Sequence, residues 1–78
     1  MIKFTPTPTL AETFAARLKL ARKESGLTLA RAAFGMNLSD TMLSRYERAK
    51  REPKIGVLEY AAEFYRKPMA WFISDAAS

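Results

Sequence analysis

The chain has no cysteine and no histidine among its 78 residues. The first absence excludes disulfide staples and thiolate metal sites. The second excludes imidazole ligands, His-based acid–base work and any Ser-His-Asp or Cys-His triad. No metal and no cofactor is expected. Long apolar runs are missing too. The longest is Met69-Ala70-Trp71-Phe72-Ile73, whereas a membrane span needs roughly 20 residues. The amino end has no basic-then-apolar signal pattern, which predicts a cytoplasmic protein. Glycines are few, at 26, 35 and 56, and the alternation of apolar and polar residues that marks strands is absent.

What is present is apolar and basic. Hydrophobic residues make up 49% of the chain, too many for a disordered tail. The length allows one small domain, which buries only about 60% of its unfolded surface and is marginal alone. Net charge is +5, unevenly spread. Residues 1–54 carry eleven Lys/Arg against five Asp/Glu, and residues 55–78 carry two against three. A basic front and a neutral, aromatic-rich back fit a polyanion-binding face beside a packing or association region.

Apolar positions recur at helical spacing, so the expected fold is all-α. Two prolines hold residues 1–8 extended, as an arm that Ile2 and Phe4 could pin; residues 9–78 form the domain. Five helices are predicted, at about 9–25, 29–36, 40–48, 55–66 and 69–74. Thr9 with Glu12 makes a capping box for the first, with Leu10, Phe14, Leu18 and Ala21 inward. Gly26 ends it. Thr28 caps the second, which turns Ala32, Ala33 and Met36 inward, and Ser39 caps the third. Asn37 and Leu38 form the turn between them. The fourth turns Ile55, Leu58, Ala62 and Tyr65 inward, and Pro68 suits the first turn of the fifth. Two short helices joined by about three residues have the dimensions of a helix-turn-helix.

The run Leu38-Ser39-Asp40-Thr41-Met42-Leu43-Ser44-Arg45-Tyr46-Glu47-Arg48-Ala49-Lys50-Arg51-Glu52-Pro53 resembles the recognition helix and following loop of the Cro/phage-repressor (XRE-type) helix-turn-helix family. The likeness extends over about residues 14–73, from Arg17-Leu18 and Ser25-Gly26-Leu27-Thr28 to Pro68-Met69-Ala70-Trp71-Phe72. It implies a compact five-helix, lambda-repressor-like domain that binds operator DNA, usually as a dimer. It also implies that Arg48, Lys50, Arg51 and Lys54 contact phosphates, and that Glu47 pairs with Arg22. Three departures stand out. Leu29 replaces a typical glutamine and cannot donate a hydrogen bond. Ala49 and Arg66 stand where glycine is common, suggesting tighter helical closures. Leu20 and Phe34 fall on faces that are usually polar, which hints at extra packing against the arm or a second subunit.

Helical geometry agrees with that reading of the third helix. With Leu43 inward at zero and about 100 degrees per residue, Thr41 lies at about 160, Ser44 at about 100, Arg45 at about 200 and Arg48 at about 140 degrees. These four share the outward face, and Glu47 turns inward. Arg45 can bond guanine O6 and N7, or clamp a phosphate; Thr41 and Ser44 can donate, accept or touch a thymine methyl. Asp40 can accept from cytosine N4, or simply favour the helix amino end. Thr28, Arg31 and Ser39 lie where a phosphate would meet the helix amino ends. Trp71, Phe72 and Ile73 are candidates for a dimer surface, or for core.

The expected function is therefore sequence-specific transcriptional regulation, a repressor binding an inverted-repeat operator in double-stranded DNA as a homodimer. An antitoxin-type interaction protein, binding a toxin and autoregulating its operon, is the alternative. No paired-carboxylate or Gly-rich phosphate-loop signature points to an enzyme.

Overall fold

A computed structural model describes residues 8–74 and contains five helices, with no strand among those residues. The arm residues Ile2 and Phe4 lie outside them. The order is α1 (Leu10–Glu24), α2 (Leu29–Gly35), α3 (Asp40–Glu47), α4 (Ile55–Tyr65) and α5 (Met69–Ile73). The predicted elements match these bounds to within a residue or two. The caps explain the precision. Thr9 Oγ1 accepts from Glu12 N while Glu12 Oε1 accepts from Thr9 N, the reciprocal capping box. Thr28 accepts from Arg31 N and Ser39 from Met42 N, which starts α2 and α3 at fixed residues.

The first four helices end in the same way. Gly26, Asn37, Ala49 and Arg66 are left-handed, with φ of 66°, 60°, 59° and 57°. In each case the next N–H reaches back five residues: Leu27 to Arg22 O, Leu38 to Ala33 O, Lys50 to Arg45 O and Lys67 to Ala62 O. The tighter closures that non-glycine residues suggest at Ala49 and Arg66 do not form. Both residues adopt the glycine conformation instead, at a cost of about 1–2 kcal/mol each. The Schellman bonds and the packing on either side hold them there.

Phe14 of α1 is at the centre of the core. Its ring meets Tyr46 of α3 edge-on at 5.8 Å and Phe72 of α5 at 6.2 Å, tying three helices together. Leu18, Ala21, Ala32, Ala33, Met36, Leu43, Val57, Leu58 and Ala61 complete it. Two inward assignments are corrected. Leu10 is 45% exposed and Ile55 69% exposed. In α1 the buried stripe is centred one residue further round, on Ala11, Phe14, Ala15, Leu18 and Ala21. In α4 it is Val57, Leu58 and Ala61, with Ala62 and Tyr65 half-buried. Both misplaced residues are the first of their helices, where a face can run past the elements that cover it. Gly35 has a packing role: a Cβ there would overlap the Phe64 ring, which lies against the bare glycine backbone.

Candidate nucleic-acid interface

Burial and pairing fix how α3 sits. Its inner face carries Leu43 and Tyr46, both buried, and Glu47, which is 4% exposed. A carboxylate that deep needs a partner. Arg22 of α1 supplies one through two parallel bonds, Nε to Oε2 at 2.8 Å and Nη2 to Oε1 at 3.0 Å. The remaining nitrogen, Nη1, donates to Leu27 O at 3.2 Å, in the loop that leads into α2. One guanidinium thus links the end of α1, the start of the helix-turn-helix and the back of α3. The hydrogen bonds to Glu47 hold the Arg22 pKa above its usual value, outweighing the opposing effect of burial. Rotating the helix would bring Glu47 to the outer face; this pair fixes it inward.

The outer face then follows. Asp40, Thr41, Arg45 and Arg48 are exposed and Ser44 is half-exposed. Asp40 is the first residue of α3, and Ser39 is its exposed cap. Arg48 is the C-cap residue. Its side chain folds back one turn, with Nε 3.2 Å from Ser44 Oγ. In the loop beyond, Lys50 and Lys54 are exposed and Arg51 is half-buried. Thr28 and Arg31 are exposed at the start of α2. Thr28 uses a hydroxyl lone pair on the Arg31 backbone N–H, so that N–H is already satisfied. Leu29 packs against the core, which gives the departure from glutamine a structural use.

The candidate dimer surface divides. Phe72 is fully buried in its own chain's core, against Phe14, Tyr65 and Trp71, and cannot face a second subunit. The sequence is ambiguous here because an aromatic on a short helix has the same pattern in either role. Trp71 is half-buried under two cations, with Arg17 Cζ 4.6 Å and Lys67 Nζ 4.3 Å from its ring centroid. Ile73 is 42% exposed. Sequence reasoning also missed Arg17 and Lys67 as partners of Trp71, and the bond from Asn37 Nδ2 to the Tyr60 hydroxyl. No spacing rule links side chains that meet only through the tertiary fold.

The arrangement is a short helix pair with one hydroxyl-bearing face that carries Arg45 and Arg48, with Asp40 at its amino end and Glu47 turned in. The helix-turn-helix model HTH_3 matches residues 18–72, most of the chain. The chain belongs to the HTH_3 helix-turn-helix family. Solved structures agree. The clp gene regulator ClgR from C. glutamicum is 27% identical, with 85% of this chain and 86% of that one covered and a TM-score of 0.77. An HTH_3 family transcriptional regulator from Vibrio cholerae is 30% identical over 81% of this chain, with a TM-score of 0.75; the match spans 35% of that longer protein. A point mutant of the restriction-modification controller protein C.Esp1396I is 28% identical over 83% of this chain and 84% of that one, with a TM-score of 0.74. No curated protein matches the sequence. This HTH_3 domain is a DNA-binding transcription regulator. Among its described residues no helix is long and apolar enough to cross a membrane. None of those residues group into a cluster of three or more His, Cys, Asp or Glu able to hold a metal ion.

Proposed function

We propose that the chain is a repressor that occupies an inverted-repeat operator as a homodimer, with α3 of each subunit in the major groove. One observation carries this reading. Of the two acids of α3, Asp40 stands exposed at the amino end, and Glu47 is locked inward by Arg22, leaving Thr41, Ser44, Arg45 and Arg48 on the outer face. Arg45 reads a guanine, Thr41 and Ser44 contact neighbouring base edges, and Asp40 accepts from a cytosine at the amino end. Thr28, Arg31, Ser39, Arg48, Lys50, Arg51 and Lys54 hold phosphates, which fixes register and makes binding salt-dependent. Residues 9–78 act as the single DNA-binding unit and residues 1–8 as an arm.

Dimerisation follows from energetics. One recognition helix reads too few base pairs to find a single site among genomic competitors. Phe72 being core, the outer side of α5 is left with Ile73 as its exposed large apolar residue. Selection of bound sites from random DNA tests the reading. It should recover two half-sites in inverted orientation, about 10 base pairs centre to centre. Recovery of single half-sites, bound at one subunit each, would refute the dimer.

A further inference from the structure

Ser44 and Arg48 lie one turn apart on the outer face of α3, and they are not independent. Arg48 Nε approaches Ser44 Oγ at 3.2 Å and Ser44 O at 3.4 Å. The Arg48 backbone N–H also donates to Ser44 O, at 3.0 Å, so backbone and side chain converge on one residue. A guanidinium has donors and no acceptor, whereas a serine hydroxyl has one proton and two lone pairs. In this pair the hydroxyl accepts. Its proton and one lone pair are left over, and the adjacent positive charge turns that proton away from the arginine and makes the remaining lone pair a poorer acceptor. The same charge polarises the O–H bond and makes it a better donor.

We infer that Arg48 is a positioning residue that fixes Ser44 as a hydrogen-bond donor toward DNA, so that Ser44 selects a base edge offering an acceptor. The inference rests on α3 being the reading helix. The acceptors in the major groove are guanine O6 and N7, adenine N7 and thymine O4. Cytosine presents only its N4 donor there. A free serine could turn and accept from cytosine; a serine already accepting from Arg48 offers the cytosine amino group only its second, weakened lone pair. Ser44 therefore discriminates against cytosine at one base pair. Arg48 uses only Nε in this contact, and its two terminal NH₂ groups remain for a phosphate. One side chain then sets the sense of a neighbouring hydrogen bond and adds backbone affinity.

The test uses the full chain on its selected site, with all four bases placed in turn at each half-site position. Ser44→Ala should abolish the discrimination against cytosine at one pair, a loss of about fivefold for a single hydrogen bond. Arg48→Met, which removes both donor and charge, should abolish it at the same pair and also lower the salt slope by about one. Arg51→Met is the charge-matched control: it should lower the slope equally and leave that discrimination intact. Retained discrimination against cytosine in Arg48→Met, or a Ser44→Ala profile unchanged at every pair, would overturn the inference while leaving α3 as the reading helix. A wild-type chain without preference at any pair would overturn both.

Discussion

Glu47 and Arg22 are each costly to lose alone. Removing one partner of a buried ion pair costs about 3–5 kcal/mol, because the other charge is stranded. The two ends differ: the Arg22 side chain is 21% exposed and that of Glu47 only 5%. A stranded arginine can turn to solvent, whereas a stranded glutamate cannot. Arg22→Ala should therefore lower the melting temperature more than Glu47→Ala, and both should lower it markedly in a domain this small. Equal, small shifts in thermal melts of the two variants would contradict the pairing as a structural lock. Tyr65 makes a second residue-scale prediction. Its hydroxyl is buried without a hydrogen-bond partner. Burial, aided by the Glu47 charge and opposed by Arg22, pushes its pKa up to about 12 from 10.0. The protonated form is the neutral one, so its folded-state contribution is complete below pH 10 and is lost as pH rises toward 12. Tyr65→Phe should leave stability at neutral pH unchanged or improved and flatten its alkaline decline. Urea melts at pH 8 and pH 11 would show it, and an equally steep decline in the variant would rule it out.

At the scale of the helices, most of the fold was legible because its boundaries are chemical. Thr9, Thr28 and Ser39 each have a hydroxyl suited to accept from a helix amino end, and each does. The inward stripes were less legible, because periodicity gives a face and not what covers it; hence Leu10 and Ile55 emerge exposed. The outer face of α3 could be read from angles alone, since its inner face is fixed by Leu43, whereas the assignment of Phe72 needed the position of Phe14. The helix ends depart from expectation in an informative way. Ala49 and Arg66 hold left-handed angles that glycine would adopt freely. Ala49→Gly and Arg66→Gly should each stabilise the domain by about 1 kcal/mol, after allowing for the extra freedom glycine gives the unfolded chain. Chemical denaturation of the two variants and their combination checks this. Destabilisation by either would mean that its side chain contributes packing that outweighs the backbone strain.

At the scale of the whole molecule, the chain separates its basic face from its aromatic core. Its basic face lies on α3 and the loop after it, and its aromatic residues link α1, α3, α4 and α5 into the core. Ile73 is exposed, so Ile73→Glu should spare the fold while moving the proposed homodimer to monomer in sedimentation at micromolar concentration. An unchanged dimer would place the contact on another face, and an unfolded variant would mean that Ile73 belongs to the core. In the proposed complex the outer face of α3 reads sequence while the loop beyond it holds the backbone. The most direct test compares Arg45→Ala with Arg51→Ala on cognate and random DNA across a range of salt. Arg45→Ala should lose about 1–3 kcal/mol on the cognate site and relax the preference at one base pair, whereas Arg51→Ala should weaken all sequences alike and lower the salt slope by about one. Equal weakening of cognate and random DNA by Arg45→Ala would contradict it.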